Sequence, residues 1–264
     1  MEFKVENLCG FLIRSKLMTG PEMQAMRQRW LGEAKDAAQA TVFLKWLVAK
    51  NYVTEYQASL LSRGHVEDFY LGDYKILERI GRGRMAGVYK SVHPLGQMVA
   101  IKVLPPSRAK SGQILARFQR EARLSVKLKH PNVVRSYQLG VSKGVHYLVM
   151  EYLEGETLEE LLQHRKRLPP AEGVRLIHQA LLGLQHIHEL GMVHRDLKPA
   201  NLMLMPAPGR GENETTFKSN LKILDIGLAR EFFDENSPVA AMEQMELTGE
   251  GVVDARARDR AGRG

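Results

Sequence analysis

The chain has 264 residues, 44% hydrophobic and 26% charged, so it can bury one large core or two modest ones and has the composition of a soluble globular protein. Its net charge of +8 is scattered among acidic residues and forms no basic stripe, which argues against a nucleic-acid partner. Cys9 is the single cysteine and no apolar run approaches the roughly 18 residues of a membrane span, which argues against disulfide scaffolds, thiolate metal clusters and membrane segments and predicts a cytoplasmic location.

Residues 1–66 are predicted to form a small α-helical module. Proline at a helix start, glycine at helix ends and capping residues mark three helices, which we expect over 21–32, 36–50 and 54–64. Asp36 is the expected cap of the second helix, and Thr54 and Gln57 have capping-box spacing at the start of the third. The aromatic side chains Phe43, Trp46 and Tyr56 are expected to form the core of this module and not a ligand site.

From Tyr74 the pattern changes to β-strands. Strands are predicted over 74–80, 88–93 and 98–104 and should form an antiparallel meander. The segment 81–88, Gly-Arg-Gly-Arg-Met-Ala-Gly-Val, joins the first two strands, and its glycines would let backbone amides approach phosphate oxygens. Taken alone this segment is weak evidence, because many hairpins carry glycine for turn geometry only.

Lys102 is the one charged residue in the apolar run Val99-Ala100-Ile101-Lys102. Burying an ammonium group costs heavily unless it meets an anion, so a buried Lys102 would require an anionic partner. A helix predicted over 113–129 brings Glu121 to the border of its inward face, where Glu121 and the phosphates of ATP would supply that partner. In the alternative, strand alternation points Lys102 to solvent.

Strands over 133–139 and 145–151 and helices over 158–164 and 171–190 lead to the most informative motif. It reads His194-Arg195-Asp196-Leu197-Lys198-Pro199-Ala200-Asn201 and is followed by Asp225-Ile226-Gly227. A proton-accepting aspartate, a metal-binding asparagine five residues on and a second metal-binding aspartate predict phosphoryl transfer from ATP. Singly these residues have plain alternatives, a core histidine, a turn former and a cap, and only their joint spacing favours the chemistry.

With these motifs in order, residues 74–250 resemble the eukaryotic-type serine/threonine protein kinases of bacteria and look closest to the large planctomycete sets. The resemblance implies an α+β bilobal fold, with an antiparallel β-sheet lobe followed by a helical lobe that is incomplete here. It also implies an enzyme that transfers the γ-phosphate of ATP to Ser and Thr hydroxyls of proteins, with ATP and Mg²⁺ as cofactors. The Asp-Leu-Lys-Pro run at 196–199 is typical of the serine/threonine kinases.

The same resemblance assigns a role to each motif residue. Asp196 would be the catalytic base, Lys198 would steady the transferred phosphate, and Lys102 would hold the ATP phosphates while paired to Glu121. The metal ligands would be Asn201 and Asp225. ATP would lie between the glycine segment and a hinge whose backbone binds adenine and whose gatekeeper is Met150; the residues assigned to the nucleotide are Gly81, Arg82, Gly83, Val88, Ala100, Lys102, Met150, Glu151 and Leu153.

Arg195, directly before the base, indicates an activation loop that is controlled by phosphorylation, because an arginine there can pair with a phosphate. Thr248 is the candidate site, by self-phosphorylation. The glycine segment departs from the family at Arg84 and Ala86, where glycine is usual, and Ile226 replaces the usual phenylalanine. Arg84 and Ala86 should stiffen the glycine segment, and Ile226 is apolar enough to pack where the phenylalanine would.

The last residues depart most from the family. Residues 251–264 are rich in Arg, Ala, Asp and Gly, and after Val253 no apolar residue is larger than alanine, so this tail cannot fill a core. We interpret it as a reading-frame change that truncates the domain in its activation segment; the alternative is a genuine basic tail. A second function therefore stays open, that of a catalytically impaired kinase fragment acting as a nucleotide-binding or protein-interaction module.

Overall fold

The computed structural model describes residues 4–34, 38–82, 87–206 and 219–225. An α-helical module comes first, then an antiparallel β-sheet with one long helix, and then a helical region with a small sheet. The helices are α1 (Val5–Arg14), α2 (Gly20–Glu33), α3 (Ala40–Ala49), α4 (Glu55–Ser62), α5 (Pro106–Ala109), α6 (Gly112–Lys127), α7 (Leu158–Arg165) and α8 (Pro170–Glu189). The strands are β1 (Tyr70–Leu71), β2 (Tyr74–Arg82), β3 (Gly87–Val92), β4 (Met98–Leu104), β5 (Ser136–Ser142), β6 (Val145–Glu151), β7 (Glu156–Thr157), β8 (Leu202–Met205) and β9 (Asn220–Ile223).

The helical module has its own core, built by α1 to α4. The fully buried side chains at its centre are Leu8, Leu12, Phe43, Leu47 and Leu61. Helix α1 had no predicted counterpart, because Lys4 at its start makes no side-chain cap and no proline marks the turn. The expected cap Asp36 lies outside the described residues, and α3 begins at Ala40.

Phe43 and Trp46 lie in the core of the module as predicted, whereas the third predicted aromatic residue, Tyr56, lies at its edge. The Phe43 ring centroid lies 5.2 Å from Trp30 and 6.1 Å from Trp46, inside the module's core. Tyr56 lies at the edge of this core and also packs against the core of the following sheet. It therefore joins the two units.

The six-stranded sheet has the order β1-β2-β3-β4-β6-β5, and every neighbouring pair is antiparallel. The predicted meander of β2, β3 and β4 is confirmed. Strand β5 begins at Ser136 and not at Val133 as predicted, because Val133 and Val134 pair instead with Ile223 of β9. This pairing with β9 joins the sheet to the helical region.

Helix α6 packs on the sheet through Phe118 and Ala122, which contact Leu104 and Leu148 in a small buried cluster. The helical region has a second core between α7, α8 and the three-stranded sheet β7-β8-β9, with Leu221 and Ile223 of β9 fully buried. The sequence did not predict these three strands, because they span only two, four and four residues. The predicted α+β architecture is confirmed, and no helix in the described ranges is long and apolar enough to cross a membrane.

Candidate active site

The first part of the site is an ion pair between the sheet and the helical region. Lys102 is only 7% exposed, and its Nζ lies 2.7 Å from Oδ1 of Asp225. The solvent-facing alternative for Lys102 is therefore wrong, since the strand buries its ammonium group against a carboxylate. Asp225 follows β9 with a φ of 43°, in the left-handed region that side chains rarely adopt, so its backbone is held in a strained conformation.

Helix α6 brings Glu121 to the same place. Glu121, Met150 and Asp225 line one small cavity together with Ser125 and Ser136. Glu121 thus lies where the sequence placed it, at the border of the buried face of α6. Lys102 forms an ion pair with Asp225, and its pairing with Glu121 stays a prediction.

The loop between α8 and β8 carries Asp196 in a hydrogen-bonded set. Lys198 Nζ lies 3.0 Å from Asp196 Oδ2. Asn201 Nδ2 donates to the same oxygen at 3.1 Å and to the Asp196 carbonyl at 2.8 Å. Lys198 and Asn201 are therefore both in direct contact with Asp196, and both side-chain interactions fall on one carboxylate oxygen.

These contacts control the charge of Asp196. Burial alone would raise the pKa of the carboxyl group, but the hydrogen bond and charge of Lys198 and the hydrogen bond of Asn201 outweigh it, so the pKa lies below its usual value. Asp196 is therefore an anion at neutral pH, ready to accept a proton.

His194 holds the loop against the end of β9, a role that sequence reasoning did not assign. It is 2% exposed, its Nε2 lies 2.7 Å from the Leu224 carbonyl oxygen, and the Asp196 amide donates to its Nδ1 at 3.3 Å. A carbonyl only accepts, so the Nε2 proton of His194 points to Leu224, while Nδ1 accepts from the Asp196 amide. The spacing of His194 to Asp196 was the available signal, but a core histidine explained it equally well.

Apolar residues assigned to the nucleotide form a cluster on the central strands β3, β4 and β6 and the segments beside them. Ala100 and Met150 are buried there with Val134, and Val88 and Leu153 pack against them. Gly81 pairs with Val88 across the first hairpin, and a Cβ on Gly81 would come within 3.3 Å of the Val88 Cβ. A side chain at Gly81 would therefore crowd Val88, which would have to shift by a few tenths of an ångström.

Glu151 is held by polar contacts, unlike the apolar cluster around Met150. Its carboxylate accepts from the Arg135 amide at 2.6 Å and from Lys222 Nζ at 2.5 Å, and its own amide donates to the Arg135 carbonyl at 2.8 Å. These contacts occupy carboxylate Oε1 and the backbone amide of Glu151, and they do not involve its carbonyl oxygen. Sequence reasoning missed Lys222 and Arg135; the signal for Lys222 was one lysine between the apolar residues Leu221 and Ile223.

The assigned metal ligands are neighbours, since the Leu224 amide donates to the Asn201 carbonyl at 2.9 Å, directly before Asp225. Asn201 uses its amide nitrogen for Asp196, which leaves Oδ1 for a cation. One amide and one carboxylate oxygen fit Mg²⁺, which commonly completes its shell with waters and phosphate oxygens. The described residues hold no cluster of three His, Cys, Asp or Glu that could bind a metal without such help.

Several predicted features lie outside the described residues. They are Gly83, the departures Arg84, Ala86 and Ile226, the candidate phosphorylation site Thr248 and the tail 251–264. Arg82 ends β2, where its backbone pairs with Gly87.

Comparisons with known proteins agree with this geometry. A family model described as protein kinase domain matches residues 74–250. The serine/threonine-protein kinase PrkC of Bacillus subtilis is 37% identical over 159 residues, which cover 60% of this chain and 23% of that protein. The serine/threonine-protein kinase pkn2 of Myxococcus xanthus is 39% identical over 160 residues, which cover 60% of this chain and 18% of that protein.

Among solved structures, the kinase domain of PknI from Mycobacterium tuberculosis matches with a TM-score of 0.51 and 26% identity, over 61% of this chain and 62% of that one. The match spans less than a quarter of the length of either curated relative.

Proposed function

We propose that this chain, which belongs to the protein kinase family, is a serine/threonine protein kinase that transfers the γ-phosphate of ATP to Ser and Thr hydroxyls of proteins. The observation that carries the proposal is the continuous hydrogen-bonded path from Asp196 through Asn201 to the segment that bears Asp225, whose carboxylate pairs with Lys102. The residues proposed as the proton acceptor, the metal ligands and the phosphate-binding lysine are therefore connected by hydrogen bonds and one ion pair, which supports the proposal.

In this reaction the substrate hydroxyl oxygen forms a bond to the γ-phosphorus, the bond from that phosphorus to the bridging oxygen breaks, and ADP leaves. Asp196 takes the hydroxyl proton, and we assign this to Oδ1, because Lys198 and Asn201 both bind Oδ2. Lys198 then lies beside the transferred group, where its ammonium offsets the charge on the phosphoryl oxygens.

ATP and Mg²⁺ are the proposed cofactors. The apolar cluster around Ala100 and Met150 would enclose the adenine, and Lys102 would contact the phosphates. Asn201 Oδ1 and the Asp225 carboxylate would hold Mg²⁺, which when bound neutralises charge on the β- and γ-phosphates.

Other features of the sequence stay proposals. Self-phosphorylation at Thr248 is proposed from the pairing potential of Arg195, and a cytoplasmic location from the single cysteine. The likeness of this chain to planctomycete kinases is proposed from the kinase motifs of its sequence. The reading-frame hypothesis rests on the composition of residues 251–264 alone.

The specificity of transfer tests the proposal. The chain is incubated with Mg²⁺ and γ-labelled ATP together with three degenerate peptide libraries whose only hydroxyl residue is Ser, Thr or Tyr. We expect label on the Ser and Thr libraries and none on the Tyr library. Label on the Tyr library alone contradicts the proposed specificity, and ATP binding without transfer favours the nucleotide-binding module instead.

A further inference from the structure

The helical module contacts strand β2 through two side chains that also cap its last helix. Thr54 and Gln57 form the capping box of α4, in which the Gln57 amide donates to Thr54 Oγ1 at 3.1 Å and the Thr54 amide donates to Gln57 Oε1 at 3.0 Å. Each side chain has a second contact outward: the Thr54 hydroxyl donates to the Leu77 carbonyl, and Gln57 Nε2 donates to the Ile76 carbonyl at 2.6 Å. Gln57 is 1% exposed and its contact with Ile76 is buried, whereas the contact of Thr54 with Leu77 is partly buried.

These contacts fall on an irregularity of the strand. The pairing of β2 with β3 shifts register between Ile76 and Glu78, which leaves Leu77 outside the regular ladder. A bulged residue has backbone groups that the neighbouring strand does not satisfy, and here α4 binds the bulge. A second register shift follows between Arg79 and Gly81, at the entrance to the glycine segment.

A second contact runs from α4 to the other side of the glycine segment. The ring of Tyr56 lies 6.2 Å from the ring of Tyr89 on β3, and the Arg79 guanidinium lies 6.0 Å over the Tyr89 ring. The Tyr89 ring covers Gly87, since a Cβ there would lie 2.8 Å from Tyr89 Cε2. Helix α4 therefore contacts both strands that flank residues 83–86.

Helix α4 is itself fixed in the module. Leu60 and Leu61 are buried in the module's core, so α4 cannot move relative to that core without opening it. A displacement of the module would therefore be transmitted to β2 and β3.

We propose that Thr54, Tyr56 and Gln57 are positioning residues that set the two strand ends bordering the glycine segment, so that affinity for ATP depends on the docked module. This inference rests on the proposed function, because it takes the glycine segment as the phosphate-binding element. It gives the helical module a role in the kinase reaction, and a partner that displaces the module would weaken nucleotide binding.

The test uses the full chain with Thr54→Val and Gln57→Leu, which remove the hydrogen bonds to β2. Thr54→Ser keeps the hydroxyl group, and Ser15→Ala removes a buried hydrogen bond, from Ser15 Oγ to the Leu12 carbonyl at 3.0 Å, inside the module. Isothermal titration with Mg²⁺ and ATP gives the affinity. Hydrogen exchange of the amides in 78–90 without nucleotide reports on the strands independently of any activity.

We expect Thr54→Val and Gln57→Leu to weaken ATP binding roughly three- to tenfold and to speed exchange in 78–90. Thr54→Ser and Ser15→Ala should stay near the parent in both measurements. A parent that binds ATP beside variants of equal affinity overturns the inference and leaves the proposed function intact. A parent that does not bind ATP overturns the proposed function, and unchanged exchange in the variants would then overturn the positioning as well.

Discussion

At the scale of the residue, the chemistry depends on how Asp196 stays charged while partly buried. Burial opposes the charge, and Lys198 and Asn201 restore it through contacts to one carboxylate oxygen. Lys198 therefore has two roles in the proposed reaction, since it binds the transferred phosphate and lowers the pKa of the base.

Replacing Lys198 with methionine should separate these roles. Without the ammonium, two contributions that lower the pKa of Asp196 are lost and this pKa rises, so activity is lost at a higher pH as the solution is acidified. We also expect kcat to fall about a hundredfold at neutral pH, the usual cost of one charge-stabilising donor. The pH dependence of kcat/KM is the measurement, with the exposed Lys110→Met as control. An acid limb at the same pH in parent and Lys198→Met would contradict this account of Asp196.

The spacing of Asp196, Lys198 and Asn201 in the sequence indicated one common site, and their roles in catalysis and metal binding stay predictions. Asp196, Lys198 and Asn201 lie within eight residues of His194 and meet as the motif predicts. It could not indicate contacts between distant segments, such as the Lys222–Glu151 pair or the hydrogen bond from His194 to Leu224, since these exist only once β9 lies beside the loop.

At the scale of the element, the close approach of α8 to β9 positions Asp225. Gly183 on α8 allows it: a Cβ there would lie 2.8 Å from the Asn132 carbonyl oxygen and 2.9 Å from Ile223 Cδ1. Because the neighbour is backbone, the helix itself would have to move.

Gly183→Ala should therefore destabilise the fold by about 1–3 kcal/mol, the usual range for overpacking. Gly173→Ala on the same helix is the matched control, since its Cβ would meet nothing within 4 Å, and it should stabilise by up to about 1 kcal/mol through helix propensity. Urea unfolding of both variants measures the difference. Equal stabilities in the two variants would contradict the close packing of α8 on β9.

The periodicity of the sequence predicted the long helices and strands but not the short ones. The meander and α6 came from alternation and the apolar stripe, whereas β7, β8 and β9 are too short for any period to show. The predicted start of β5 was wrong because Val133 and Val134 pair with the distant strand β9 and not with β6.

At the scale of the whole molecule, three units contribute to the proposed reaction. The sheet carries the residues assigned to the nucleotide, the helical region carries Asp196 and its partners, and the helical module contacts β2 through Thr54 and Gln57. The sequence predicted the order of these units. It could not predict how the module docks, because Thr54 and Gln57 looked like an ordinary capping box, and only the fold brings the bulge at Leu77 to them.

The intact mass of the purified chain and of a Ser/Thr peptide, before and after incubation with Mg²⁺ and ATP, tests the central claim most directly. Asp196→Asn is run beside the parent, and ATP binding is measured for both. We expect the parent to add phosphate to the peptide, and Asp196→Asn to bind ATP equally while losing at least about a hundredfold in rate. A parent that binds ATP and adds no phosphate, or an Asp196→Asn variant as fast as the parent, would contradict the claim.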